Sequence, residues 1–199
     1  PNPDQCMTYM SCHDNHTLWD RLNISRPGAN DAERILMHKL AGTMVLTSQG
    51  VSFLHAGVDM LRTKDGVENS YNSPDVINQI DWNRKTEYKD VFEYYRNLIA
   101  LRKAHPAFRM TSTEAIQKNL QFMDTESELL VAYTLNGAAV GDEWKRIFVA
   151  FNGADEAQEI EVPAGNWTKI IDAGKINLGG MGNTSATDMA IVRNSALLL

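Results

Sequence analysis

The stretch Ser11-Cys12-His13-Asp14-Asn15-His16 sets two imidazoles, a carboxylate and an amide directly behind the apolar run Met7-Thr8-Tyr9-Met10. A carboxylate so placed has three chemical uses: general acid or base, metal ligand, or fixed charge that stabilises a cationic transition state. A second polar pair, His55 and Asp59, follows the run Val51-Ser52-Phe53-Leu54. His13, Asp14, His16 and His55 form a candidate metal set, but His-x-x-His matches no strong zinc spacing, and no metal or cofactor is expected. Ser11 lacks the Gly-x-Ser-x-Gly elbow of a serine nucleophile. The plain structural alternative has Asp14 capping a turn and His13 satisfied in a core.

These residues need elements to position them. Cys6 to Cys12 reads as a buried strand, nearly continuous in apolar and β-prone residues. A polar loop follows to about Asn30. Asn30 with Glu33 three residues later forms a capping-box start, and Ile35, Leu36, Leu40, Met44 and Val45 give a helical stripe. Gly50 lies just past its end. Val51 to His55 is a second strand. Strand, helix, strand is a βαβ unit, so the two strands are parallel. In parallel α/β architectures ligands bind at the carboxyl ends of strands, where His13-Asp14-Asn15 and His55 sit.

A loop of about 30 residues, 56–85, comes next. Loops beyond roughly 12–15 residues in compact domains are usually functional or disordered. Tyr71, Ile77, Ile80 and Trp82 in it predict a packed loop; the rings of Tyr71 and Trp82 are expected in the core, the alternative being that they stack on a ligand. A helix follows over about 88–103, with Val91, Tyr95, Leu98, Ile99 and Arg102 at helical spacing, and Pro106 ends it. Beyond Thr111 the pattern changes. Strands are predicted near 120–124, 129–136, 146–152, 157–162, 168–172, 189–192 and 196–199, separated by Asn136-Gly137, Asn152-Gly153 and Pro163-Ala164-Gly165. Seven short strands predict an antiparallel sandwich. The run Gly179-Gly180-Met181-Gly182 is a turn, without the Gly-Lys-Ser/Thr of a phosphate loop.

Composition narrows the partners. The 199 residues carry a net charge of −6 without long runs of one sign. That disfavours nucleic acid and anionic membranes, which need clustered Lys and Arg. No apolar run approaches the roughly 20 residues of a membrane span. The pattern fits a soluble protein with a neutral ligand, in no determined compartment. Cys6 and Cys12 lie about 20 Å apart in an extended segment at ~3.3 Å per residue, too far for a disulfide, and read as free thiols packed like small apolar residues. The start at Pro1, without Met, has the look of a cut from something longer. Two parallel strands and two helices do not close a core, so neighbouring strands are expected before Pro1.

The residues Tyr9-Met10-Ser11-Cys12-His13-Asp14-Asn15-His16-Thr17-Leu18-Trp19-Asp20 closely resemble the region at the seventh barrel strand of the alpha-amylase superfamily of glycoside hydrolases. Residues 49–57 resemble that family's eighth strand. Glu68-Asn69-Ser70-Tyr71-Asn72-Ser73-Pro74-Asp75, with Asn78-Gln79-Ile80-Asp81-Trp82, resembles the loop of type I pullulanases, and residues 194–199 the last strand of their sandwich. The resemblance implies an α/β plus all-β protein. Residues 1–110 would be the C-terminal part of a (β/α)8 barrel, strands seven and eight with their helices, and residues 111–199 an antiparallel β-sandwich.

It also implies a retaining mechanism on α-1,6 links of pullulan and related α-glucans, with two carboxyl groups flanking the scissile bond. Asp14 would be the third carboxylate, which stabilises the transition state, with His13 beside it. Asn15 and Asp75 would bind the neighbouring glucose, with Asn78 and Gln79 as further binders. Nothing in the sequence matches the family's nucleophile or acid, so the chain alone is expected to be inactive. Its partners would be an α-glucan and the N-terminal remainder of the same enzyme. A non-catalytic glucan-binding or structural module is one alternative; another hydrolase or a branching enzyme of the superfamily is the other.

Overall fold

The structure, a computed structural model, describes residues 2–185 and 187–199. Its first strand, β1, covers only Met7–Thr8, and its second, β2, only Val51–Ser52. They pair in parallel with Met7 opposite Val51 and Thr8 opposite Ser52. The βαβ reading therefore holds, but the strands are much shorter than 6–12 and 51–55, and they are not buried: Met7, Tyr9, Val51 and Phe53 are exposed. Paired residues stop at Thr8 because the chain turns away to form the His-Asp-Asn loop. Cys6 is exposed and Cys12 half-buried, both as free thiols. The expectation that both pack inside fails, because the strand that would have buried them is not formed.

Two helices connect β1 to β2. The stretch expected to be loop contains α1, Leu18–Ser25, capped by Thr17, whose hydroxyl accepts the Asp20 N–H at 3.1 Å. Then α2 runs over Asp31–Thr47 with the predicted capping box: Asn30 accepts the Glu33 N–H at 3.0 Å and Glu33 accepts the Asn30 N–H at 2.9 Å. Two orphan donors of the first turn are thereby satisfied. Gly50 adopts φ +89°, and a Cβ there would lie 2.7 Å from the Cys6 carbonyl oxygen, so the turn into β2 requires glycine.

The segment 56–88 holds one turn of 3-10 helix, Val58–Met60, and two single-turn helices, α3 (Asp75–Asn78) and α4 (Arg84–Glu87). Val58, Met60 and Leu61 anchor it in the core. Tyr71 and Trp82 do not: they are 82% and 68% exposed. Both sit on polar stretches that face solvent, so the expectation that they pack is corrected. Helix α5, Lys89–Ala104, follows as predicted and presents Val91, Tyr94, Tyr95, Leu98 and Leu101 to the core, while Ile99 lies at its edge.

Arg102, near the end of α5, joins the helix ends. Its guanidinium donates to the carbonyls of Leu46, Ser48, Gly50 and Phe108 at 2.6–3.1 Å. It thus caps the carboxyl end of α2, where a cation is favoured by the helix dipole.

A short helix, α6 (Thr113–Asn119), missed in the sequence, leads into the β region. There β3 is Leu120–Met123, β4 Leu130–Leu135, β5 Ile147–Asn152, β6 Gln158–Glu161, β7 Trp167–Thr168 and β8 Ile171–Asp172. Then come β9 Lys175–Ile176, β10 Asn183–Thr184, β11 Asp188–Ile191 and β12 Ser195–Leu198. The strand expected over 168–172 divides into β7 and β8. A six-stranded antiparallel sheet runs β3-β4-β5-β12-β8-β9, with β11-β6 and β10-β7 as separate pairs.

Alternation along the strands explains the layering. Phe148, Ala150, Leu197 and Leu199 face one way and pack with Ile160 and Ile191 of the β6–β11 pair. Ile147, Val149, Phe151, Ala196 and Leu198 face the other way and join Leu40, Val45, Tyr95 and Leu98 of the helices. The large sheet is therefore a wall shared by two cores, and β5 is buried throughout.

Candidate active site

Beyond β1 the chain runs through the buried Ser11 and then throws His13, Asp14 and Asn15 into solvent. The His13 and Asp14 side chains are 86% and 71% exposed, with His13 Nε2 3.5 Å from Asp14 Oδ1. Asn15 sits at φ +61°, a left-handed conformation that Asn tolerates better than most side chains. The three are brought together at the carboxyl end of the parallel pair, as the sequence predicts.

What holds this loop is a buried lysine. Lys64 is 2% exposed, and its ammonium donates to the carbonyls of His13 at 3.2 Å, Asn15 at 2.6 Å and Glu68 at 3.2 Å. An ammonium has three N–H donors, and each finds an acceptor. Asp20, in the first turn of α1, secures the lysine's own segment. Its carboxylate accepts the Lys64 N–H at 2.7 Å, the Thr63 hydroxyl at 2.5 Å and the Thr17 hydroxyl at 2.9 Å. A buried carboxylate and a buried ammonium are thus both saturated, which is the condition for burying charge. Neither residue stands out in the sequence, because Lys and Asp are ordinarily surface residues.

His55 follows β2 and is buried, in contact with Arg62 Nη1 at 3.2 Å. Its pKa is pushed down to about 4, chiefly by burial and then by the positive charges of Arg62 and Lys64. It stands there as a neutral imidazole. The Arg62 guanidinium is also lowered by burial, and it donates to the carbonyls of Ala56 at 3.1 Å and Asn78 at 2.7 Å.

The other predicted residues divide. Asp75 opens α3 with an exposed side chain, and Gln79, just past that helix, is exposed too. Asn78 is committed inside the loop: its amide donates to the carbonyls of Ser70 at 2.7 Å and Ser73 at 3.0 Å and accepts the Ser70 hydroxyl at 2.8 Å. Its amide therefore holds the loop in shape.

Asp14, Asn15, His16, Arg21 and Glu68 line an open groove of 380 Å³ with Tyr9 and Met10. Gln79 lines a different groove of 600 Å³, with Arg62, Asp81, Trp82 and Arg84. Among the described residues, no three of His, Cys, Asp and Glu gather as a metal-binding group. No helix among them is long and apolar enough to cross a membrane. An exposed carboxylate with an imidazole beside it, on a loop fixed from below, can bind paired hydroxyls and oppose a developing positive charge. In the β region Tyr133, Phe148, Phe151 and Trp167 are core residues and Trp144 is half-buried, so Phe122, 67% exposed, is the aromatic ring that faces solvent among its described residues.

Residues 116–175 match the family model of the pullulanase all-beta domain. The chain is 44% identical over 163 residues to the pullulanase of Bacillus subtilis, a match covering 82% of this chain and 23% of that protein. Among solved structures, the pullulanase of Bacillus acidopullulyticus superposes with a TM-score of 0.94 at 41% identity, over 99% of this chain and 24% of that one. The Bacillus subtilis type I pullulanase, solved with maltose, gives a TM-score of 0.92 at 37% identity over the whole of this chain and 28% of its own length. The chain thus spans about a quarter of the length of these relatives.

Proposed function

We infer the function from the premise that the chain belongs to the type I pullulanases and corresponds to the C-terminal part of their sequences. It contributes the transition-state-stabilising carboxylate, Asp14, to a retaining hydrolase of α-1,6 links in pullulan and related α-glucans. Residues 1–110 act as the last two strand–helix units of a (β/α)8 barrel, in which β1 and β2 are neighbours. Residues 111–199 form the sandwich that braces them.

In this reading a carboxylate nucleophile attacks the anomeric carbon while a carboxylic acid protonates the departing glycosidic oxygen. Both groups come from residues outside the matched stretch, since nothing in this chain corresponds to them. As the glycosidic bond breaks, positive charge grows on the sugar ring. Asp14 opposes that charge and binds ring hydroxyls, and His13 donates to the same sugar. Asn15 and Asp75 take the neighbouring glucose. Gln79 lies farther along the same loop, and Asn78 shapes that loop instead of touching sugar. The observation that carries the reading is the exposed His13-Asp14 pair at the carboxyl end of the parallel strands, on a loop fixed by buried charge.

The test is pullulan hydrolysis by the enzyme that contains these residues, with and without Asp14→Asn. Turnover is expected to fall by about 10²–10³-fold, the cost of removing one preorganised electrostatic partner, with the circular dichroism spectrum unchanged. Turnover near that of the unaltered enzyme rejects the role. The 199 residues alone are expected to release no reducing sugar.

A further inference from the structure

We propose that Lys64 is a positioning residue for catalysis, an internal cation that sets the geometry of Asp14. The proposal rests on the catalytic reading of Asp14 given above.

The Lys64 ammonium binds the carbonyl oxygens of His13 and Asn15, the two residues that flank Asp14. Its third N–H goes to Glu68, on the loop that follows. Three converging carbonyl oxygens around one positive centre is a pattern that proteins also build around hard metal ions. Here the ion is covalently attached and cannot exchange. The backbone between His13 and Asn15 is consequently clamped at both ends, and the left-handed Asn15 is held in place by the same contact.

The Asp14 side chain itself is 71% exposed, so packing does little to orient it. Its direction is inherited from the peptide planes that Lys64 grips. Asp20 completes the device from below, accepting the backbone N–H of Lys64 and the hydroxyls of Thr17 and Thr63. A loop set this firmly meets the developing charge without reorganising at the moment of reaction.

The test is steady-state kinetics on pullulan with the enzyme that contains these residues, unaltered and as Lys64→Gln, Asp14→Asn and the double variant. Lys64→Gln keeps two N–H donors of the three and removes the charge. It is expected to lower kcat by about 30-fold or more while KM stays within about threefold, the signature of an interaction that matters in the transition state. The double variant is expected to be no slower than Asp14→Asn, because Lys64 acts through Asp14.

A kcat for Lys64→Gln within about threefold of the unaltered enzyme overturns the proposal, and so does a double variant slowed by the product of the two single effects. Should the Gln variant not fold, Lys64→Arg decides by the same comparisons, since it keeps the charge but its planar fork does not match three carbonyls around one point. Loss of activity in Asp14→Asn with normal kcat in Lys64→Gln sinks only the positioning role. Near-normal activity in Asp14→Asn sinks the catalytic reading itself.

Discussion

His105 Nδ1 lies 2.7 Å from Asp142 Oδ1, with the two side chains 7% and 0% exposed. One residue ends α5 and the other lies in the loop before β5, so the contact ties the helical layer to the β region. The same carboxylate accepts the N–H of Ala107 at 3.1 Å and of Trp144 at 2.9 Å. The Trp144 ring stacks on the imidazole with centroids 3.6 Å apart. Asp142→Ala strands three donors in a buried junction and is expected to destabilise the protein by about 3 kcal/mol. The measurement is the urea midpoint at neutral pH; a loss under about 1 kcal/mol would show that water replaces the carboxylate without difficulty.

Gly42 in α2 faces the Tyr95 ring of α5, and a Cβ there would lie 2.6 Å from Tyr95 Cζ. Glycine inside a helix ordinarily costs about 1 kcal/mol against alanine. Gly42→Ala is nevertheless expected to destabilise, by about 1–3 kcal/mol, because the tyrosine ring is fully buried and cannot retreat. Thermal unfolding decides it, and a raised melting temperature would mean the two helices separate more easily than their packing suggests.

His55 and His38 make stability depend on pH. The His38 pKa is lowered to about 3, by burial first and then by the charge of Lys39; that of His55 is lowered to about 4. Both ionise near 6.5 in the unfolded chain. Below 6.5 the unfolded state binds protons that the folded state refuses, so stability rises with pH up to 6.5, from about 3 for the His38 contribution and from about 4 for that of His55, and is fully present above that. Urea unfolding at pH 5 and pH 7.5 should give the lower midpoint at pH 5, and His55→Gln should narrow the difference. Equal midpoints would place both imidazoles in contact with water.

The asparagine-and-glutamate signature before α2 and the apolar runs of β4 and β5, bounded by Asn136-Gly137 and Asn152-Gly153, were legible because local chemistry alone determines them. Helix α1 was hidden, although Thr17 and Asp20 stand at capping spacing, because Asp20, Arg21, Asn23 and Ser25 make the segment read as a polar loop. Tyr71 and Trp82 misled in the opposite sense: their apolar rings suggest burial, but the polar loop around them faces outward. At the site, His13, Asp14 and Asn15 were readable from their place behind an apolar run. Lys64 was not, since its burial depends on carbonyls that only the folded chain brings together.

Those carbonyls belong to residues 51 and 49 positions earlier in the chain than the lysine that binds them. During synthesis the Asp14 loop emerges ahead of its clamp, which is made only after α1, α2, β2 and the turn at residues 58–60 have followed. Contacts of such long sequence separation form late, once the intervening loop has been closed. The groove beside Asp14 thus takes its final shape only once residues 61–68 have joined it, and no partly folded chain that lacks them holds it.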